Sequence, residues 1–483
     1  MGKHLKPKNT LAISLLAIFL LVGWGTSQAS DTQHTALVRV ELRSQTNLEN
    51  IASLNIPVYG PFWDDQGDEF LLLQATAEVQ DQLQLFGLTV HILDDEPNKA
   101  YYFEIYLPDP QILAQLPEEL SILSETNQSI IVRAAPEKAD DLMKLNATLR
   151  PLSEHPLVLP KFTDQAQTAT VFASNPLIQS MINQVNTDDG YNYVGGLSGA
   201  WSVLVGGNPY TFNTRNTFSG KPIEKATWYA YDQLDPLGFF MDYDYYNYCH
   251  SYYGCTEQRN VIAEQTGITN PGCVVLLVAH IDSYSTNTDP VYIAPGADDN
   301  ASGTAGVIVA AEVLHQYRFA CTIRYILFTA EEYGYWGSKD YAAQMYAKGE
   351  NIIGVVNMDM IGYNSNTYLA AEAHIRANNS GDLALANLFS NVITNYGIGL
   401  TPQIISPGLT WSDHQSFWNY GYSAVMLMED YQDFTPYYHT SMDLLSTIDP
   451  GYHAKIIKTA VGMIAHLAGL LPPEEMYFPL IYK

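Results

Sequence analysis

The amino-acid sequence predicts an α/β protein with a mostly parallel mixed sheet that helices cover on both faces. Four continuous apolar runs have the length of buried strands, and helical periodicity separates them, for example at 302–315 and 338–347. The four runs are 274–279, 323–328, 352–358 and 423–428. Strands that are apolar at every residue, rather than at alternate residues, are typical of parallel sheets buried on both sides.

The chain begins with the pattern of a secretory signal peptide. Three lysines precede an apolar run at 11–23, and small residues follow at Ser27 and Ala29. We therefore expect residues 1–29 to be a signal peptide that is cleaved after Ala29. The apolar run is short for a membrane span, although a retained N-terminal anchor is the alternative. This pattern predicts a protein that is secreted, either extracellular or periplasmic, with no stable membrane span after cleavage.

Residues 30–150 are predicted to form a small α+β domain built from two copies of one unit. Strand-like runs at 37–42 and 70–75 in the first copy correspond to 102–107 and 130–134 in the second. Gly87 and Asn146 fall at equivalent helix ends, and both residue types tolerate the left-handed conformation that ends helices. We expect this domain to be either a propeptide, which would make the protein a zymogen, or a permanent accessory domain.

A proline-rich linker is predicted at 151–174, and the main domain at 175–472. The main domain opens with helical spacing around 177–185 and 223–234, and a tyrosine-rich insert follows at 243–253. Its last helix is predicted near 452–467, and the tail at 473–483 has no assigned role.

Composition and charge restrict the function. The 483 residues are 47% hydrophobic, which excludes a disordered chain, and the length suggests about two or three domains. Lys and Arg total 23 against 51 Asp and Glu, which gives a formal net charge of −28. A chain with this much negative charge repels phosphate backbones, and we therefore expect no nucleic-acid partner.

The four cysteines are candidates for disulfide bonds if the protein is exported. Cys249 and Cys255 are close in sequence and are expected to pair. A bridge between Cys273 and Cys321 would join neighbouring strands, because each precedes a predicted strand. The sequence has no Cys-x-x-Cys pair, which argues against a thiolate zinc site.

Imidazole and carboxylate groups lie at the ends of the predicted strands and helices. The five candidate metal ligands are His280, Asp298, Glu332, Asp359 and His439. Mixed histidine and carboxylate sets suit zinc, and five ligands exceed the needs of one structural ion. One aspartate that bridges two zinc ions accounts for the number, and such a pair of ions activates water for attack on a carbonyl.

Three further residues are given supporting roles. Glu331 is next to a ligand but free of the metal in this assignment, so it is the candidate general base. Asp282 can accept a hydrogen bond from the ring of His280, and Asp443 is placed to steady the loop around His439. His414 is the main rival to His439 as a ligand, and each of these features alone is a weak signal.

Together, these motifs resemble the secreted co-catalytic di-zinc aminopeptidases of metallopeptidase clan MH, including bacterial leucyl-type aminopeptidases. The resemblance covers roughly 210–470. It is strongest at 279–283, 295–303, 329–338, 357–362, 412–418 and 438–443. It implies a zinc-exopeptidase-like fold and a cis peptide bond between Asp298 and Asp299.

The resemblance also implies the distribution of the ligands. One zinc would be held by His280 and Glu332, and the other by Asp359 and His439. Asp298 would bridge the two ions, and Glu331 would be the base. The family pattern favours His439 over His414 as the last ligand.

One departure concerns the residues that stabilise the transition state. Some relatives have a tyrosine shortly before the Ser-Asp-His segment, and Leu409 stands near that place here.

The resulting hypothesis is a monomeric aminopeptidase that acts on peptides with a free N-terminus. The alternatives are a carboxypeptidase of the same clan, a glutaminyl cyclase and a receptor-like module without catalysis. The cyclases use a single zinc, and non-catalytic modules usually lose ligands, whereas all five candidate ligands and the base are present here.

Overall fold

The fold was analysed in a computed structural model of the chain. It describes residues 35–42, 47, 50–51, 53–54, 56–63, 69–95, 101–106, 120–125, 129–134, 149–151, 157–158, 174–250, 253–376, 379–406 and 408–472. The predicted signal peptide, most of the linker and the C-terminal tail lie outside these residues. Among the described residues, no helix is both long and apolar enough to cross a bilayer.

The N-terminal part contains nine described strands and one described helix. The strands are β1 Thr35–Glu41, β2 Pro57–Trp63, β3 Glu69–Thr76, β4 Val90–Asp94, β5 Tyr101–Tyr106, β6 Ser121–Glu125, β7 Ser129–Ala134, β8 Leu149–Pro151 and β9 Leu157–Val158. The helix, α1, is Ala77–Leu85, and the Thr76 hydroxyl caps it by accepting from the Val79 amide.

These strands form two antiparallel sheets, with the orders β4-β1-β3-β2-β9 and β6-β7-β5-β8. The first sheet read from β4 has the order β4-β1-β3-β2, and the second read from β8 has the order β8-β5-β7-β6. The two orders are the same if β1, β2, β3 and β4 correspond to β5, β6, β7 and β8. An internal repeat predicts this equivalence.

The main domain contains ten described strands. They are β10 Val203–Val205, β11 Asn208–Tyr210, β12 Phe240–His250, β13 Gly254–Gln265, β14 Asn270–His280, β15 Cys321–Phe328, β16 Asn351–Met358, β17 Ala370–His374, β18 Thr401–Ile405 and β19 Ala424–Glu429. The helices are α2 Pro176–Ile182, α3 Thr187–Leu197, α4 Lys221–Leu234, α5 Gly303–Leu314, α6 Trp336–Lys348, α7 Ser380–Asn395, α8 His414–Asn419 and α9 Pro450–Leu467.

Eight of these strands form one mixed sheet, in the order β12-β13-β15-β14-β16-β19-β17-β18. The centre, from β15 through β14 and β16 to β19, is parallel, and these are the four strands that the apolar runs predict. The prediction of a mixed α/β sheet is therefore confirmed. The tyrosine-rich insert at 243–253 lies mostly in β12, the antiparallel edge strand, which pairs with β13; neither strand was predicted as part of the sheet.

Both faces of the sheet are buried, as the continuous apolar runs require. On β14, Val275 and Leu277 pack in one core with α5 and α9, whereas Val274 and Leu276 pack in another with α6 and α8. Because successive side chains of a strand point to opposite faces, neither face of β14 can be polar.

Two disulfide bonds join neighbouring strands. Cys249 on β12 lies opposite Cys255 on β13 and is bonded to it, and Cys273 on β14 is bonded to Cys321 on β15. Both agree with the expected pairings.

The candidate site lies at the carboxyl ends of the central parallel strands. His280 ends β14, Glu331 and Glu332 follow β15 closely, and Asp359 follows β16 directly. The start of α5 packs tightly against this edge, because a Cβ added at Gly303 would lie 2.3 Å from the carbonyl oxygen of Met358. Open parallel sheets typically build their sites at this edge.

Candidate metal centre

Two groups of side chains at this edge could each hold a metal ion. The first is His280, Asp299 and Asp359, and the second is Asp299, Glu332 and His439. In each group the potential ligand atoms all lie within 4.8 Å of one another. The groups share Asp299, so the site has the layout of two adjoining metal positions joined by one carboxylate.

Asp299 directs one oxygen toward each group. Its Oδ1 lies 3.3 Å from His280 Nε2, and its Oδ2 lies 3.1 Å from His439 Nε2. His280 Nε2 also lies 3.3 Å from Asp359 Oδ1, and His439 Nε2 lies 2.8 Å from Glu332 Oε2. This carboxylate therefore sits between the two imidazoles.

The structure contradicts the expectation that Asp298 is the bridging residue. Asp299 has an extended backbone (φ −104°, ψ 94°), in which neighbouring side chains point to opposite sides. Only one of two consecutive aspartates can therefore face the imidazoles. The residue types of an Asp-Asp pair do not reveal which one does.

The expected grouping of the ligands is also wrong. His280 lies with Asp359, and His439 lies with Glu332, whereas the resemblance had suggested His280 with Glu332. The reason is topological: β14 and β16 are neighbours in the sheet, which brings His280 and Asp359 together.

The cis peptide bond is one residue later than expected. It lies between Asp299 and Asn300, not between Asp298 and Asp299. The Asn300 side chain anchors this turn, because its Nδ2 donates to the Met358 carbonyl and its Oδ1 accepts from the Gly303 amide. The turn is thereby fixed to the end of β16 and to the start of α5.

Asp298 instead lies beneath the site. Its Oδ1 accepts from the Gly362 amide at 2.9 Å, and its carboxyl group meets that of the buried Glu429. Burial, followed by the charge of Asp298, raises the pKa of Glu429 well above its usual value. The raised pKa favours the protonated form of Glu429 next to Asp298.

Asp443 holds the backbone that carries both aspartates. Its Oδ1 accepts from the amide of Asp298 and its Oδ2 from the amide of Asp299, at 2.9 and 3.0 Å. The sequence predicts that Asp443 steadies the loop around His439, but its side chain is bonded to the turn that presents Asp299.

Asp282 orients three parts of the site, as a residue just after β14 can. Its Oδ1 lies 3.5 Å from His280 Nδ1 and accepts from the Glu331 amide at 3.2 Å. Its Oδ2 accepts from the Thr217 hydroxyl at 2.7 Å and from the Glu332 amide at 3.4 Å. The hydrogen bond of the His280 ring goes to the backbone oxygen of Asp282 at 3.2 Å, and the carboxylate lies close by. The contacts with the amides of Glu331 and Glu332 were not predicted.

Glu331 lies next to the first group without being a member of it. Its Oε2 is 3.9 Å from His280 Nε2, and the residue is 7% exposed. Burial raises the pKa of Glu331 well above its usual value, and the charges of Asp359 and Glu332 raise it further, against the lowering effect of His280. A carboxyl group with a raised pKa can accept and return a proton near neutral pH.

The two histidines are held by negative charge. Burial alone would lower the pKa of His439, but the carboxylates of Glu332 and Asp299 outweigh burial and raise it to about 10. Asp299 has the opposite balance, since its hydrogen bonds with both histidines overcome burial and lower its pKa. Without a metal ion, protons on the imidazoles thus neutralise the carboxylates.

A buried arginine supports the loop in front of Asp299. Arg215 is fully buried, and its guanidinium donates to the carbonyl oxygens of Ile281, Leu197, Pro295 and Gly296. These bonds connect the end of β14 to the turn that leads to Asp299. The role of Arg215 cannot be predicted from the sequence, because a lone arginine in Thr-Arg-Asn carries no recognisable signal.

His414, the rival ligand, has another role. Its Nε2 donates to the carbonyl oxygen of Leu409 at 2.9 Å, and its ring packs edge-on against Trp418. Neither metal-binding group includes it. The neighbouring Asp413 is fully buried, and burial raises its pKa to about 7.

An apolar cluster adjoins the site on the side of Asp359 and His439. We call it the methionine cluster: Met360, Met426 and Met428, with Leu409, Tyr431, Phe434 and Tyr438 packed against them. Met360 directly follows Asp359. The ring of Tyr438 stacks on that of His439, with 3.8 Å between their centroids.

A second, aromatic cluster adjoins Glu332 and His439. Tyr333, which follows Glu332, packs edge-on against Phe218 and Tyr284, and the ring of Tyr284 meets that of His439 edge-on. Tyr248 and Tyr253 of the β12–β13 hairpin join this cluster. The tyrosine-rich insert thus reaches the vicinity of the site.

Comparison with known families identifies the domain around this site. Residues 260–464 match the family described as Peptidase family M28. This match covers less than half of the chain, and we call the matched residues the M28 domain. All the residues of the two metal-binding groups lie within this domain.

Curated relatives of the M28 domain include leucine aminopeptidase 1 of Ajellomyces capsulatus. It is 30% identical over 220 residues, which are 44% of this chain and 56% of the relative. Leucine aminopeptidase 1 of Paracoccidioides brasiliensis is 26% identical over 267 residues, or 53% of this chain and 68% of the relative. The chain thus spans a little over half the length of the first of these relatives.

Solved structures extend the likeness of the fold beyond the M28 domain. The crystal structure of the Legionella pneumophila LapA aminopeptidase has a TM-score of 0.57 at 18% identity, and it covers 77% of this chain and 99% of its own. LapB from the same organism has a TM-score of 0.56 at 17% identity, covering 76% and 99%. Residues 174–472 make up less than two thirds of the chain, whereas LapA covers 77% of it. The similarity of the fold therefore extends beyond these residues.

Proposed function

We propose that the chain is a zinc-dependent aminopeptidase that hydrolyses the N-terminal peptide bond of peptides at a two-metal centre. The observation that carries this proposal is the position of the Asp299 carboxylate, with one oxygen toward His280 and the other toward His439. A carboxylate between two imidazole–carboxylate pairs is the arrangement that a bridging ligand requires.

The donor sets fit zinc. In our proposal His280, Asp359 and Asp299 hold one ion, and Glu332, His439 and Asp299 hold the other. Imidazole nitrogen and carboxylate oxygen are zinc ligands, and the Oε1 atom of Glu332 is buried without a hydrogen-bond partner among the described residues. Two bound ions would polarise the scissile carbonyl and lower the pKa of the attacking water from 15.7 toward about 7.

Glu331 is proposed to move the proton. It takes a proton from the attacking water and returns it to the amine of the departing peptide. Its buried carboxyl group with a raised pKa supports both steps, because too weak a base would not take the proton from water and too strong a base would not return it. Asp282 supports this role by accepting hydrogen bonds from the backbone amides of Glu331 and Glu332, which fix the position of the base.

The surroundings favour recognition of an amino terminus over a carboxyl terminus. Glu331 and Asp413 lie beside Asp359 and His280 of the first group, and these buried carboxyl groups can receive a positively charged amine. A carboxypeptidase needs a cation for the terminal carboxylate of its substrate, usually an arginine. The four described bonds of buried Arg215 all go to backbone carbonyls. The relatives above are named aminopeptidases, which supports the same choice.

The methionine cluster is proposed to receive the side chain of the N-terminal residue. It adjoins Asp359 and His439, and methionine side chains adapt to apolar groups of different shapes. We therefore propose a preference for apolar N-terminal residues. The name leucine aminopeptidase of the relatives is in line with this preference.

Export is proposed as well. The two disulfide bonds are of the kind that persists in oxidising compartments. Whether the N-terminal sheets are removed as a propeptide is tested by sequencing the N-terminus of the secreted protein. A start in the linker supports removal, and a start at Ser30 supports a permanent domain.

The experiment that tests the function compares two peptides that differ at the N-terminus. We expect the zinc-loaded protein to release leucine from a peptide with a free N-terminal Leu and to leave the N-acetylated peptide intact. Removal of the metal by a chelator should abolish the activity, and zinc should restore it. Release of residues from the carboxyl end of the acetylated peptide would instead identify a carboxypeptidase.

A further inference from the structure

A second buried glutamate–histidine pair lies behind the methionine cluster, away from both metal-binding groups. Glu372 and His374 lie on β17, and only 2% and 1% of these residues are exposed. Their Oε2 and Nε2 atoms are 2.8 Å apart. In the sheet Glu372 lies opposite Met428, and His374 lies opposite Met426. Residues directly opposite one another point to the same face, so the pair shares a face with these methionines.

Each member of the pair holds the backbone of one residue in the methionine cluster. The Leu409 amide donates to Nδ1 of His374 at 3.1 Å, and the Tyr431 amide donates to Oε1 of Glu372 at 3.2 Å. Leu409 is held from its other side by His414, which donates to its carbonyl oxygen. The segment before Leu409 rests directly on the pair, because a Cβ added at Gly408 would lie 2.7 Å from the Cβ of His374.

These contacts fix the ring of His374 to one loop and the carboxylate of Glu372 to another. Because Nδ1 of His374 accepts from the Leu409 amide, the hydrogen of the neutral ring must be on Nε2. Nε2 lies 2.8 Å from Oε2 of Glu372 in a close polar contact that lacks the angle of a hydrogen bond, and the other oxygen, Oε1, accepts from the Tyr431 amide. The loops that carry Leu409 and Tyr431 thus meet through two buried side chains. Neither side chain can turn without taking the acceptor away from one of these loop amides.

We propose that Glu372 and His374 are a positioning pair that sets the width of the pocket for the N-terminal side chain of the substrate. This inference rests on the proposed aminopeptidase function. The three methionines can repack around ligands of different sizes, since their side chains are flexible. Fixed walls at Leu409 and Tyr431 limit this freedom. The pair thereby determines which N-terminal residues fit, although it touches neither the metal-binding groups nor Glu331 in the described contacts.

Two substitutions alter the pair at different points. Glu372→Gln replaces two acceptor oxygens by one, so an NH₂ group then faces either the Tyr431 amide or Nε2 of His374. His374→Asn can keep an acceptor for the Leu409 amide through its own oxygen, but it is too short to reach Glu372. Glu372→Gln should therefore loosen the backbone at Leu409 or Tyr431 more than His374→Asn does.

The experiment measures kcat and KM for peptides with N-terminal Ala, Leu and Phe. One methylene group of a substrate changes kcat/KM in an apolar pocket by roughly 10- to 200-fold. We therefore expect Glu372→Gln to lower the ratio of kcat/KM for the Leu peptide to that for the Ala peptide about tenfold. The change should be in KM for Leu and Phe, with kcat for the Ala peptide and the zinc content unchanged. His374→Asn should shift the ratio in the same direction by less.

The matched control is Glu312→Gln, which alters a half-buried hydrogen bond between Tyr193 of α3 and Glu312 of α5. This control should leave the ratio unchanged. If the wild type cleaves the peptides and both variants keep its ratio, the inference is refuted and the proposed function stands. If the zinc-loaded wild type cleaves none of them, both are refuted. If both variants fail to fold while Glu312→Gln folds, the pair serves folding and the inference is overturned.

Discussion

The two consecutive aspartates give the sharpest test of the metal centre, because the structure assigns them opposite roles. In Asp299→Asn, one of the two oxygens that face the imidazoles becomes an amide NH₂ group, which cannot bind a metal ion. Both proposed metal positions then lose the negative charge that they share. In Asp298→Asn, by contrast, the remaining oxygen can still accept from the Gly362 amide.

The surroundings of Asp298 also predict the effect on stability. Burial raises the pKa of Asp298 to about 7, the hydrogen bond with Glu429 acts in the opposite direction, and the charge of Asp299 raises it further. The raised pKa values of Asp298 and Glu429 favour a shared proton between the two buried carboxyl groups. An amide at position 298 can donate to an ionised Glu429 instead, so the pair no longer needs the extra proton. We therefore expect Asp298→Asn to be as stable as the wild type at pH 8, within about 1 kcal/mol.

The expected magnitudes differ widely. Mutation of a group that supports a metal ligand typically lowers metal affinity or activity by about 10- to 100-fold. Asp298→Asn should therefore lower zinc affinity by no more than this factor. Asp299→Asn should lose more than about 100-fold in zinc affinity, or more than about 2.7 kcal/mol per ion. Zinc content after gel filtration, a zinc titration and the rate on a Leu peptide measure these effects. Loss of zinc in Asp298→Asn with retention in Asp299→Asn would refute the assignment.

Three further predictions concern the base, the turn and the pH dependence. Glu331→Gln should keep its zinc and lower kcat by about 10²- to 10⁴-fold, because only the proton transfer is lost. Asp443→Asn should lower zinc affinity by about 10- to 100-fold, because one of the two amides that hold the turn loses its acceptor. Without metal, stability should fall as the pH rises from about 5 to 8, by up to about 1.4 kcal/mol per pH unit for each extra proton that the folded state binds.

The sign of the pH dependence follows from the raised pKa values. Burial raises the pKa values of Asp298, Glu332 and Asp413 to about 7, so the folded protein keeps protons that the unfolded chain loses near pH 4. Their stabilisation is complete below pH 4 and is lost as the pH rises through 7. The raised pKa of His439 acts in the same direction up to about pH 10.

Each of the three predictions has a contradicting outcome. Near-normal kcat in zinc-loaded Glu331→Gln would remove this residue as the base. Unchanged zinc affinity in Asp443→Asn would mean that the turn does not depend on its carboxylate. Thermal unfolding of the metal-free protein at several pH values tests the third, and stability that rises from pH 5 to 8 would contradict it. Zinc should remove most of this pH dependence.

The sequence predicts the central sheet well because its strands are buried on both faces. The four runs that became β14, β15, β16 and β19 are apolar at most residues, with Arg324 and Asn357 among the exceptions. Strands β12 and β17, which lie outside this central group, were missed because they lack such a run. β12 alternates tyrosines with polar residues at a partly exposed edge, and β17 is a short run of five residues that contains Glu372 and His374.

The candidate site could be predicted by residue type but not by geometry. His280, Glu332, Asp359 and His439 are all brought together, because the carboxyl ends of parallel strands meet at one edge. The choice between Asp298 and Asp299 depends on backbone angles within a turn, and the grouping of the ligands depends on the strand order. Neither is encoded in local sequence, and the roles of Arg215 and Glu372 depend on contacts distant in the chain.

The central claim is that Asp299 joins two metal positions, and anomalous X-ray diffraction at the zinc edge tests it most directly. Crystals of the zinc-loaded protein should give two peaks on either side of the Asp299 carboxylate. One peak should lie by His280 and Asp359, and the other by Glu332 and His439. A single peak, or a pair of peaks joined by Asp298, would contradict the account.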